Sequence, residues 1–121
     1  MADVKRLAES DLRFLQLIWD HEPVASMALV ALCAEKFGWK KSTTYTMIKR
    51  LCEKGLIRSE NAVVSACARR SEVQAHESEQ FVEQTFAGSL PHFLAAFLNG
   101  KTISAEDAAK LKRLIDEHKE E

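Results

Sequence analysis

Apolar residues recur at helical spacing along the first half of the chain, broken at regular intervals. Leu12, Leu15, Ile18 and Trp19 stand at i, i+3, i+6 and i+7, one stripe of an amphipathic helix over residues 10–20, and Pro23 interrupts it. Ser26 is placed as the N-cap of a second helix running to Phe37, with Leu29, Leu32 and Cys33 inward and Gly38 at its end. Ser42 is placed as the cap of a third helix, in which Thr44, Ile48, Leu51 and Cys52 share a buried face and Gly55 acts as a C-cap. Between Leu56 and Arg69 the pattern changes. Ile57, Val63 and Val64 flank the polar Ser59-Glu60-Asn61, which predicts two short strands and a turn even without an Asn-Gly or Asp-Gly pair.

Helical spacing returns after Arg70. Ser71-Glu72-Val73-Gln74 has the form of a capping box, Phe81, Val82 and Phe86 give the helix an apolar stripe, and Gly88-Ser89 breaks it. A short helix follows through Pro91, Phe93, Leu94, Phe97 and Leu98 to Asn99-Gly100. Ser104 caps a last helix with Ala108, Leu111, Leu114 and Ile115 inward. The expected fold class is mainly α with a small β-hairpin. Residues 1–70 have the element order of a winged helix-turn-helix domain, and residues 71–121 form a C-terminal helical region.

Length and composition narrow the class. At 121 residues the chain suits one domain or a small domain with an appendage, and 46% hydrophobic with 29% charged residues is the balance of a folded protein. The opening residues lack an apolar signal core, and no stretch approaches the roughly 18 apolar residues of a bilayer span. A cytoplasmic location without membrane association is therefore expected. Cys33, Cys52 and Cys67 form no CxxC or CxC pattern, which fits a reducing compartment.

Charge becomes informative once it is divided. Residues 1–70 carry 12 Lys/Arg against 8 Asp/Glu, a balance of +4, whereas residues 71–121 carry 5 against 10, a balance of −5. Seven cations and one anion fall between Lys36 and Arg58, a local +6 suited to a phosphate backbone. The third helix carries the signal. Opposite its apolar face stand Ser42, Thr43, Thr46, Lys49 and Arg50, short hydroxyls and cations without a bulky apolar group, so this face can enter a groove. Ser42, Thr43, Thr46 and Arg50 are assigned to bases, and Lys40, Lys41 and Lys49 to phosphates, which the positive end of the helix dipole also favours. Arg58, with Arg69 nearby, is placed to add a backbone contact from the hairpin.

A helical unit of about fifty residues rarely buries enough apolar surface by itself. Phe81, Phe86, Leu90, Phe93, Leu94, Phe97, Leu98, Leu111, Leu114 and Ile115 are accordingly read as a homodimer interface. A dimer would set two reading helices about 34 Å apart on double-stranded DNA. No enzyme is expected: His21, His76, His92 and His118 are scattered, Glu77, Glu79 and Glu83 lack a nucleophile or phosphate loop, and no metal or cofactor is assigned. The competing reading is a winged-helix protein-interaction adaptor without sequence-specific DNA binding.

Three stretches resemble one family: LAESDLRFLQLIWDHEPV near the start, GWKKSTTYTMIKRLCEKGLI across the third helix, and FAGSLPHFLAAF followed by LKRLIDE. In these the sequence resembles the BlaI/MecI/CopY family of bacterial transcriptional repressors. The resemblance implies a homodimer that blocks promoters at palindromic operators, with an N-terminal winged helix and a C-terminal helical dimerisation region. The copper-responsive branch ends in a cysteine-rich motif where this sequence reads His118-Lys119-Glu120-Glu121, so copper sensing is not expected. In the beta-lactam branch, proteolysis at an Asn-Phe bond, prompted by an upstream sensor, relieves repression. The aligned pair here is Ala96-Phe97, which specifies no such protease and no link to resistance.

Overall fold

The computed structural model of the chain describes residues 7–120. Its elements run α1 (Glu9–His21), β1 (Val24–Ala25), α2 (Ser26–Phe37), α3 (Lys41–Glu53), β2 (Ile57–Glu60), β3 (Val63–Ala66), α4 (Arg70–Phe86), α5 (Leu90–Leu98) and α6 (Ala105–His118). The mainly helical fold with a hairpin is the one expected. Contacts divide it into two compact units, Met1–Gln80 and Phe81–Glu121.

In the first unit, α1 buries Asp11, Phe14, Leu15 and Ile18, spaced i, i+3, i+4 and i+7, together with Leu17. The stripe is thus rotated from the expected one, because Phe14 and Leu17 outweigh Leu12 and Trp19, which are only partly buried. Trp19 sits at the core's rim, where its polar tip is satisfied: Nε1 donates to the Ala68 carbonyl at 3.0 Å. Leu29, Cys33, Leu51, Leu56, Val64 and Val73 complete the interior.

Three expected caps are corrected. The residues before α2 and α3 are Ala25 and Lys40, neither making a side-chain cap bond, and Ser26 and Ser42 lie inside the helices. α2 does without a side-chain cap because the amide of Ser26 donates to the carbonyl of Ala62 at 2.9 Å, so the hairpin turn satisfies one of its orphan donors. Ser71 likewise lies within α4, which opens at Arg70. Ser89 and Ser104 do cap α5 and α6, accepting from the amides of His92 at 3.1 Å and Asp107 at 3.0 Å.

α3 ends as its sequence requires. The amide of Gly55 donates to Cys52 and that of Leu56 to Leu51, both at 3.0 Å, the paired bonds of a Schellman motif. Gly55 takes φ 76°, where a side chain would be strained. Leu51 and Leu56, the two residues this motif brings together, are both fully buried. The chain then enters β2, pairs antiparallel with β3, and makes a sheet of order β1-β3-β2. β1 was not expected, since two residues carry no periodicity; Val24 is anchored opposite Val64.

The second unit is built differently. Phe81, Phe86 and Phe93 meet edge to face, with centroids 5.4–6.0 Å apart. Yet neither α5 nor α6 contains a buried residue. Leu90, Phe97, Leu114 and Ile115 each remain more than half exposed.

Candidate nucleic-acid interface

The packing of α3 sorts its residues into two faces. Thr44, Met47, Ile48 and Leu51 are buried, whereas Lys41, Ser42, Thr43, Thr46, Lys49 and Arg50 are exposed, as is Lys40 before the helix. The hydroxyl-bearing and cationic side chains therefore project from one rigid element whose other side is fixed in the core. No acidic residue occupies the first turn, so the positive end of the dipole is not neutralised locally.

Individual partners refine this face. The Thr46 hydroxyl donates to the Ser42 carbonyl at 2.9 Å, leaving its oxygen able to accept a further bond. Lys41 Nζ lies 5.9 Å from the centroid of the Tyr45 ring, whose hydroxyl donates to Met27 Sδ at 3.3 Å. Tyr45 and Met27 are both exposed, and the periodicity of α3 had singled out neither. Arg50 is not wholly free: one Nη2 bond of 3.3 Å goes to Asp11 Oδ2, which also accepts from Lys54 Nζ at 3.0 Å. Asp11 is the residue that sequence reasoning missed, although its place at the head of the stripe formed with Phe14, Leu15 and Ile18 was a visible signal.

On the hairpin, Arg58 is exposed in β2, and the tip is formed by Asn61 and Ala62. Arg69 follows β3 and lies 3.8 Å from Glu72. Trp39 is half-buried against Phe14 and Phe37, with centroids 5.7 and 4.9 Å away, and so braces the turn that leads into α3. Cys33 is buried and Cys52 half-buried, and burial pushes both thiols up; Cys67 is exposed. Among the described residues no group of three or more His, Cys, Asp or Glu could hold a metal ion, and no helix is long and apolar enough to cross a membrane.

Three helices, a two-residue strand between the first two, and a hairpin after the third define a winged helix-turn-helix protein with a helical C-terminal extension. The sequence profile of the penicillinase repressor family matches residues 7–117, and the chain belongs to that family. It is 22% identical over 123 residues to the penicillinase repressor of Bacillus licheniformis, covering 98% of this chain and 96% of that one. It is also 24% identical over 117 residues to an uncharacterized 16.5 kDa protein in the ptsI 3' region of Latilactobacillus sakei, covering 93% of this chain and 80% of that one. Among solved structures it is similar to the DNA-binding domain of the repressor BlaI, with a TM-score of 0.51 at 21% identity over 60% of this chain and 93% of that one. The monomeric form of Bacillus licheniformis BlaI in complex with the blaP half-operator has the same identity and coverage and a TM-score of 0.50.

Proposed function

We propose that this chain is a transcriptional repressor that binds palindromic operator DNA as a homodimer, with residues 1–70 as the DNA-binding part and residues 71–121 as the dimerisation part. The observation that carries the reading is the division of α3 into a buried apolar face and an exposed face of hydroxyls and cations. Ser42, Thr43, Thr46 and Arg50 approach base edges in the major groove, and Lys40, Lys41 and Lys49 hold phosphates, with Arg58 reaching the backbone from the hairpin. The exposed apolar residues of α5 and α6 support the dimer. Leu90, Phe97, Leu114 and Ile115 would otherwise meet water, and a second copy supplies the missing layer. The penicillinase repressor and the BlaI half-operator complex to which the chain is similar support the same assignment.

The test uses duplexes that the chain itself enriches from a random-sequence pool, with affinity followed by fluorescence anisotropy across salt concentrations. Lys49→Ala is expected to weaken binding to enriched and random duplexes alike and to flatten the salt dependence by about one phosphate contact. Thr43→Ala is expected to reduce preference for the enriched duplexes while leaving the salt slope in place. Parent-like binding by both variants, or no salt-dependent binding by the parent, contradicts the proposal; the latter is the behaviour of an interaction adaptor.

A further inference from the structure

Two cations of the proposed reader helix converge on a carboxylate that water does not reach. Asp11 is wholly buried, whereas the Arg50 and Lys54 side chains that meet its Oδ2 are 49% and 38% exposed. Arg50 lies in the last turn of α3 and Lys54, four residues on, is its C-cap, so they share one side, and Asp11 reaches them from α1. A buried carboxylate keeps its charge only when cations or hydrogen-bond donors compensate for the water it has lost. Both cations keep further donors and are partly exposed to solvent. A DNA phosphate and Asp11 are therefore alternative partners for the same two side chains.

We infer that Asp11 is an internal counter-ion of the reader helix, competing with DNA phosphates for Arg50 and Lys54 and so lowering affinity for duplex of any sequence. The inference rests on the reading of α3 as the DNA-binding helix. Salt screens exposed phosphate contacts strongly and a partly buried pair much less, so the internal partner keeps its hold on both cations across the salt range of a binding measurement. Arg50 also gains a fixed direction. Its fork of five donors spends one bond on Asp11, which restricts where the others can point. Asp11 is thus a positioning residue that sharpens discrimination by withholding non-specific attraction.

The experiment measures affinity of the full chain for a short random-sequence duplex as a function of salt, with circular dichroism confirming the fold of each variant. Asp11→Asn is expected to steepen the slope of log Kd against log salt by about 0.9 for each cation released, about three-fold in affinity per cation between roughly 50 and 200 mM salt. Lys54→Met is expected to keep the parent's slope, because that ammonium is already engaged, whereas Lys49→Met flattens it by about 0.9. A folded Asp11→Asn with the parent's slope overturns the inference. So does a Lys54→Met that flattens the slope as Lys49→Met does, and this arm decides alone if Asp11→Asn fails to fold. A parent without salt-dependent binding removes the DNA reading itself, an outcome distinct from either of these.

Discussion

Ala62 adopts φ 61° beside Asn61 at φ 53°, so both central residues of the two-residue hairpin loop are left-handed, as in a type I′ turn. Asn tolerates this region; an alanine Cβ crowds the following carbonyl, at a cost of roughly 1–2 kcal/mol. Ala62→Gly is therefore expected to stabilise the chain by about 0.5–1 kcal/mol in urea denaturation, after the added backbone entropy of glycine is subtracted. Destabilisation would mean that the methyl group packs usefully. The same turn explains why the strands were legible in the sequence while the turn type was not: Ile57, Val63 and Val64 mark the ladder, but Asn-Ala is a poor version of the usual signal. Residue-level errors elsewhere have similar causes. Ser26 and Ser42 suit capping by type, yet a carbonyl from Ala62 serves the start of α2, and α2 begins one residue and α3 two residues earlier than the serines alone would place them. Asp11 drew no assignment from the sequence, because only Arg50 and Lys54, distant in sequence, make its burial tolerable.

At the scale of elements, α1 and α4 are joined by an ion pair between Asp20 and Arg70 at 2.5 Å, with the guanidinium also 5.2 Å from the centroid of the Trp19 ring. The hydrogen bond from Arg70 holds the Asp20 carboxyl below its ordinary range. Since the folded value is depressed, the pair contributes at neutral pH, and its contribution is lost as pH falls from the unfolded value through the folded one. Arg70→Gln is expected to remove this component of acid sensitivity, read as a smaller difference in urea midpoint between neutral and acidic buffer. An unchanged difference would show that the pair does not couple α1 to α4. Both groups are exposed, so the effect belongs at the small end of such pairs. Most helices were legible because each shows at least one stripe and a stop, as with Gly38 and Gly55. β1 was not: Val24 and Ala25 become a strand only because β3 offers them an edge.

The whole molecule places opposite charge in its two halves, +4 over residues 1–70 and −5 over residues 71–121, and leaves its apolar surplus in the second. Leu90, Phe97, Leu114 and Ile115 are each more than half exposed, so periodicity could name these residues but not their burial, and the proposed dimer would cover them. Dimerisation would also make the second half-site contact intramolecular, raising affinity without new interactions. Leu114→Asp is expected to separate the copies and weaken duplex binding while leaving the α3 face intact. The most direct measurement is sedimentation velocity of the chain at micromolar concentration with a fluorescent duplex drawn from the enriched pool. Two chains should travel with each duplex at low salt and release it, still paired with one another, at high salt. A duplex that sediments alone at every salt concentration, beside a protein that remains a single chain, would contradict the assignment.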